Sequence, residues 1–188
     1  MTQGDREEPS PLAVRHAADY DSAGLISLIG GCFAEYPGCV LDLPGIDAWM
    51  LAPASAYNAG GRLWVVELDR DIVARDGDIV AHDGDTVARD GELVACVGYK
   101  RSGRARAELK SLYVAAAARR SGLGARLVGV VEDAARSAGA GVVELWSDTR
   151  FVDAHRLYER LGYRRGTHTR HLHDPSDSTE FFFDKPLA

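Results

Sequence analysis

Apolar residues recur at different intervals along the 188-residue chain, and each change of interval marks a change of element. Alternating or near-continuous apolar runs bounded by Gly, Asp or Pro predict strands at PLAVRHA (from Pro11), GRLWVVELD, ELVACVGYK, RAELKSLYV and VVELWSD. Steps of three and four predict helices. Leu25, Leu28, Ile29, Cys32 and Phe33 form one such stripe, with Asp21 placed to cap it. Leu123, Leu127, Val130, Val131, Ala134 and Ala138 form a second, ending at Gly139 or Gly141, and Ala154, Leu157, Tyr158 and Leu161 a third, ending at Gly162. The Pro/Gly-punctuated stretch Tyr36 to Gly45 reads as loop, and IDAWMLAPASAY as a short helix. RRGTHTRHLHD and TEFFFDKPL predict a final hairpin across DPSD. Strands, a helix, a strand, a helix and strands describe an α/β (α+β) domain, a mixed sheet flanked by helices. One domain over residues 11–188 is expected, after a disordered lead at 1–10.

A repeat interrupts this pattern. DIVARDG, DIVAHDG, DTVARDG and ELVACVG follow one another from Asp71 to Gly98 with a period of seven. Asp-Gly supplies the positive φ angles of a tight turn, and the residues between turns suit a short strand, so the insertion at 71–91 is expected to lengthen a hairpin into an extended β-arm. A second reading is calcium binding by Asp76, Asp78, Asp83, Asp85, Asp90 and Glu92, although the spacing is that of neither an EF-hand loop nor a calcium-binding β-helix.

Composition narrows the class. Hydrophobic residues at 46% and charged residues at 27% are ordinary globular usage. The polar, acidic start lacks the features of a secretory signal, and no apolar run is long enough to cross a bilayer, so a cytoplasmic location without membrane contact is expected. Cys32, Cys39 and Cys96 form no CxxC pair, which leaves no sequence basis for a disulfide framework or a zinc site. His168, His171 and His173 have a metal-like spacing but read as a surface or cleft-lining ladder, and no metal is expected. The net charge of -6 divides unevenly: residues 1–100 hold 7 Lys+Arg against 17 Asp+Glu, and residues 101–188 hold 15 against 11. A basic second half favours an anionic ligand there, while the overall acidity argues against nucleic acid.

The anion has an obvious place. RRSGLG (Arg119 to Gly124) opens the second helix, where free backbone N–H groups and the positive end of the helix dipole converge on one point. Gly122 and Gly124 let the backbone approach a phosphate closely, and Arg119 and Arg120 add charge at its rim. No GxxxxGK[ST] is present, and Leu127 stands where a dinucleotide fingerprint requires glycine.

Three features in order, a strand ending in LYV, the RxxGxG turn (Arg119, Gly122, Gly124) and the A-x-x-x-Y-x-x-x-G-Y element (Ala154, Tyr158, Gly162, Tyr163), closely resemble the GNAT family of acetyl-CoA-dependent N-acetyltransferases. The resemblance implies a mostly antiparallel central sheet, and acetyl-CoA as donor with its pyrophosphate on the N–H groups of Arg119, Arg120, Ser121, Gly122, Leu123, Gly124 and Ala125. It also implies a pantetheine arm bonded to the backbone of Leu112 and Val114, with the Val114 N–H at the thioester oxygen. Glu108 matches the position of a catalytic glutamate, and strand alternation puts it on one face with Lys110, Leu112 and Val114. Tyr158 matches the tyrosine that protonates the leaving thiolate. Phe151 departs from the pattern, standing where many members place a coenzyme-binding asparagine; Arg150 and His155 are the candidates to replace it. From position alone, Phe33, Tyr36, Trp49 and His171 are expected to shape the acceptor side. The implied activity is direct acetyl transfer, in a ternary complex, to a primary amine of a small molecule or peptide, with Cys96 too buried to carry an acyl group. A non-catalytic acyl-CoA sensor on the same fold is the alternative, and a homodimer is compatible with the resemblance.

Overall fold

Among the described residues seven strands lie in the order β1-β2-β3-β4-β5-β7-β6, and every neighbouring pair is antiparallel except β4 and β5. The computed structural model describes residues 12–68 and 92–187. The strands are β1 (Leu12–His16), β2 (Gly61–Leu68), β3 (Glu92–Gly103), β4 (Arg106–Val114), β5 (Val142–Asp148), β6 (Arg164–His171) and β7 (Thr179–Pro186). The helices are α1 (Ser22–Phe33), α2 (Pro53–Tyr57), α3 (Leu123–Ser137) and α4 (Val152–Arg160). The expected disordered lead and repeat arm, with the carboxylates Asp76, Asp78, Asp83, Asp85 and Asp90, lie outside the described residues.

Two cores sit on opposite faces of the sheet. Trp64, Val66, Val97, Leu109, Val143 and Phe183 pack with Leu127, Val128 and Val131 of α3 and Tyr158 of α4. Leu63, Val65 and Cys96 pack with Leu25, Leu28 and Ile29 of α1 and Tyr57 of α2. Cover on both faces explains why Leu63 to Val66 are all buried, without the alternation of a half-exposed strand. The buried Glu132 carboxylate on α3 is paired: Lys185 of β7 donates to both its oxygens, at 2.8 and 2.9 Å. No helix among the described residues is long and apolar enough to cross a membrane.

Three expectations need correction. Asp21 occupies the cap position of α1, but its carboxylate accepts from Arg15, at 2.7 and 2.8 Å, and from the Ala18 N–H at 2.7 Å, so it ties the helix entry to β1. IDAWMLAPASAY is broken by Pro53 into a 3-10 turn (Ala48–Leu51) and α2. Most consequential, alternation fails along β4. The register places Gly98 opposite Lys110 and Cys96 opposite Tyr113, three steps on β4 against two on β3, with Ser111 at φ 53°. That is a β-bulge, and it reverses the facing of everything beyond it. Truncating fully buried Leu127 to alanine should cost about 3 kcal/mol, as a lower urea midpoint at unchanged m-value.

Candidate active site

The bulge sorts the candidate residues onto two faces. Glu108 pairs with Lys100 of β3, whose ammonium lies 4.8 Å from the centre of the Tyr57 ring, so Glu108 belongs to the α1/α2 face. Lys110 reaches back to it at 3.1 Å, and Ser111 bonds the Tyr57 hydroxyl at 2.9 Å, on the same side. Leu112 and Val114 pack against the α3/α4 core, and Tyr113 between them turns to α1. Glu108 therefore does not share a face with Leu112 and Val114.

Backbone direction matters more at Val114 than side-chain direction. The Ala115 N–H donates to Val94 O at 2.8 Å, which makes Ala95–Val114 a non-hydrogen-bonded pair and turns the Val114 N–H and carbonyl away from β3, toward β5. On that side β4 and β5 are registered only from Arg106–Val142 to Leu109–Leu145, although β4 runs on to Val114 and β5 to Asp148. Past Leu109 the two parallel strands part, and Val114 lines the mouth of the gap.

Tyr158 projects from α4 into the same core, with ring centroids 5.8 Å from both Tyr163 and Phe183. Burial pushes its hydroxyl well above the ordinary tyrosine range, so it stays protonated and able to donate. It has no hydrogen-bond partner among the described residues.

The RRSGLG turn has the shape of an anion cradle. Arg120 and Gly122 adopt left-handed φ values of 63° and 83°, and the helix opens with the Arg126 N–H bonded to Gly122 O. The N–H groups of Leu123, Gly124 and Ala125 lie in the first turn, where an α-helix provides no internal acceptor. Ser121 fixes the turn by donating to Ala118 O at 2.8 Å. Gly124 has a packing reason as well: a Cβ there would sit 3.1 Å from Leu157 of α4. Arg120 is exposed beside the turn. Arg119 is exposed too but engaged within the protein: it forms a two-pronged ion pair with Glu35, both contacts at 2.6 Å, and its Nε donates to Val114 O at 2.9 Å.

Arg150 and His155, the candidates to replace the missing asparagine, are both engaged within the protein. Arg150 donates to the buried Asp148 carboxylate at 2.6 and 2.8 Å, to Ser176 O and to the Ser178 hydroxyl. His155 is 8% exposed and holds Nε2 3.0 Å from Asp148 O. Phe151 itself packs at a tilt between Phe33 at 6.1 Å and Tyr36 at 4.8 Å, so it builds the wall beyond α1. Trp49 packs on Tyr57, and His171 pairs with His173 and Asp177 at the end of β6. His168 packs edge-on against Phe182, and among the described residues no three His, Cys, Asp or Glu side chains gather as a metal site. The loop after α1 is strapped to the β6–β7 connection: the Val40 N–H donates to Ser176 Oγ at 2.9 Å and that hydroxyl donates to Val40 O at 3.1 Å.

Sequence reasoning missed Glu35, Asp47 and Tyr113. Asp47 is 9% exposed, accepts the Asp42 N–H at 2.9 Å, and is pushed above the ordinary carboxylate range by burial and by the neighbouring charges of Asp42 and Asp174. Tyr113 lies edge-on to Phe33 at 5.8 Å. No local pattern marks either; an aspartate before a short turn reads as a cap.

A model of the acetyltransferase (GNAT) family matches residues 46–163. Solved structures share the fold at low identity. An acetyltransferase from Streptococcus agalactiae 2603 is 16% identical with a TM-score of 0.72, over 95% of this chain and 100% of that one. A GNAT-family acetyltransferase from Staphylococcus aureus MU50 is 15% identical with a TM-score of 0.71, over 94% and 99%. The yncA protein of Salmonella typhimurium, solved with its cofactor acetyl-CoA, is 19% identical with a TM-score of 0.62, over 95% of each chain. No curated protein matches the sequence.

Burial holds the His155 ring below its ordinary value near 6.5. The unfolded chain then binds a proton that the folded one refuses, so this residue makes stability fall as pH drops from 7 toward 5. His155→Gln should flatten that part of a plot of Tm against pH.

Proposed function

The chain belongs to the acetyltransferase (GNAT) family and takes its acyl group from acetyl-CoA for transfer to an amine; from that premise we propose that it acetylates a primary amine of a small molecule or peptide by direct attack in a ternary complex. Bound acetyl-CoA supplies an activated thioester carbonyl. What the chain must add is a grip on the carrier, an orientation for the carbonyl and two proton transfers.

The grip comes from the backbone. The N–H groups of Ser121 to Ala125, arranged around the left-handed residues Arg120 and Gly122, suit a diphosphate without any side chain bonding it. Leu112 and Val114 offer backbone groups to the pantetheine amides along the edge where β4 has left β5. The Val114 N–H is then the donor to the thioester oxygen, where negative charge grows as the amine attacks. The observation that carries this reading is the non-hydrogen-bonded Ala95–Val114 pair, because it turns that N–H into the gap.

Proton transfers divide by face. Glu108 lies on the α1/α2 face of the sheet, opposite Lys100 and bonded by Lys110, where it can take a proton from the incoming ammonium, directly or through water. Tyr158 stands on the other side of the sheet, protonated, and donates to the departing thiolate. Asp47, buried beside Trp49, Asp42 and Asp174, gives the acceptor side a negative potential that favours a cationic amine.

Thiol release from acetyl-CoA across a panel of amines tests the activity and the acceptor class. Tyr158→Phe should lower kcat about 100-fold, the scale of a single positioned acid, while changing the KM for acetyl-CoA little. Glu108→Gln should lower kcat/KM most below the pKa of the acceptor amine, and recover part of it at high pH, where the amine is already neutral. Unchanged turnover in either variant would remove that residue from the mechanism.

A further inference from the structure

Val114 ends β4 on the side where the ladder to β5 has already stopped. A backbone carbonyl in that position needs another donor if the residue is to keep its strand geometry. Arg119 supplies the short bond, through Nε at 2.9 Å, and the Cys32 thiol of α1 donates weakly to the same oxygen at 3.6 Å. Its terminal nitrogens are held at 2.6 Å by the two oxygens of Glu35, two residues past the end of α1, and one also lies 3.8 Å from Cys32 Sγ. A guanidinium carries five N–H donors in one plane. Four are therefore engaged within the protein, and the fork that could have clasped a diphosphate faces a carboxylate instead. Hydrogen bonds from Arg119 hold the Glu35 carboxyl below the ordinary carboxylate range, so the pair is fully charged at neutral pH.

We infer that Glu35 is a positioning residue for acyl transfer: it fixes Arg119 so that Nε holds the Val114 carbonyl, which keeps the Val114 N–H aimed into the gap, and it keeps this arginine off the diphosphate. The inference rests on the role given to Val114 above. In an extended residue the N–H and C=O point to the same side, so anchoring one constrains the other. Glu35 also sits between Phe33 and Tyr36 in sequence, so the acceptor wall and the thioester end of β4 share one fixed point.

An ion pair with only a surface role would alter stability slightly and turnover not at all. Three steady-state measurements separate the cases. Glu35→Gln is expected to lower kcat about tenfold, less than outright loss of an oxyanion donor, with the KM for acetyl-CoA unchanged or lower because Arg119 is released. Arg119→Lys should lower kcat similarly, since one ammonium cannot hold Glu35 and Val114 O in the same geometry; it carries the test alone should Glu35→Gln not fold. The reversed pair, Glu35→Arg with Arg119→Glu, should recover Tm but not kcat, because a carboxylate at 119 has no N–H to give Val114. The inference is overturned by wild-type kcat in Glu35→Gln or Arg119→Lys. A raised KM for acetyl-CoA at unchanged kcat would overturn it too, making Arg119 a diphosphate ligand, as would recovery of kcat in the reversed pair. A wild-type protein that acetylates no amine would instead overturn the acceptor reading, and the inference with it.

Discussion

The parting of β4 from β5 is the constraint on which the site depends. Parallel neighbours in a sheet ordinarily stay bonded along their shared length. These two do so for four registered pairs and then separate, because they answer to different partners. β5 is bonded to β7 along its whole length, from Val142–Pro186 to Asp148–Glu180. β4 follows β3 and takes an extra residue at Ser111, which bends and twists it away. A gap between parallel strands exposes backbone donors and acceptors that would otherwise be paired, and an extended, amide-bearing ligand fills such a gap as a further strand would. The crossover from β4 to β5 begins with the RRSGLG turn, so the anion cradle is covalently placed at the open end of the same gap.

The bulge also divides the labour between faces. Because two consecutive residues, Lys110 and Ser111, lie on the α1/α2 side, Leu112 and Val114 can anchor the strand end in the α3/α4 core while Glu108 keeps its charge on the acceptor side. An uninterrupted strand would put Glu108 and Leu112 on the same face. One inserted residue lets a single strand place a half-buried, ion-paired carboxylate, a packed strand end and an amide turned away from β3 within seven positions.

Much of this was legible in the sequence where the cause is local. The stripes of α1, α3 and α4 and the glycine turn at Gly122 depend on residues near one another in the chain, and the resemblance carried by LYV, RxxGxG and Tyr158 gave the family. The bulge left a trace that alternation arguments pass over: Leu109 and Leu112 are three apart, with Lys110 and Ser111 between them, which breaks a period of two. Glu35 with Arg119, and Arg150 with Ser176 and Ser178, left none. Those pairings join distant segments, and an exposed-looking arginine gives no sign of its partner until the fold brings one near. Hence Arg119 and Arg150 read as free cations when both are engaged.

The strap between Val40 and Ser176 has a consequence for how the molecule acquires its parts. It joins positions 136 residues apart. Contacts so remote in the chain close late, since the loop entropy lost must first be offset by everything nested inside them. The last hairpin also carries β7, which bonds β5 along its whole length and places Phe183 beside Tyr158 in the core. Neither the gap between β4 and β5 nor the wall beyond α1 is therefore complete until the closing stretch of polypeptide arrives, and a chain cut before it would lose both together.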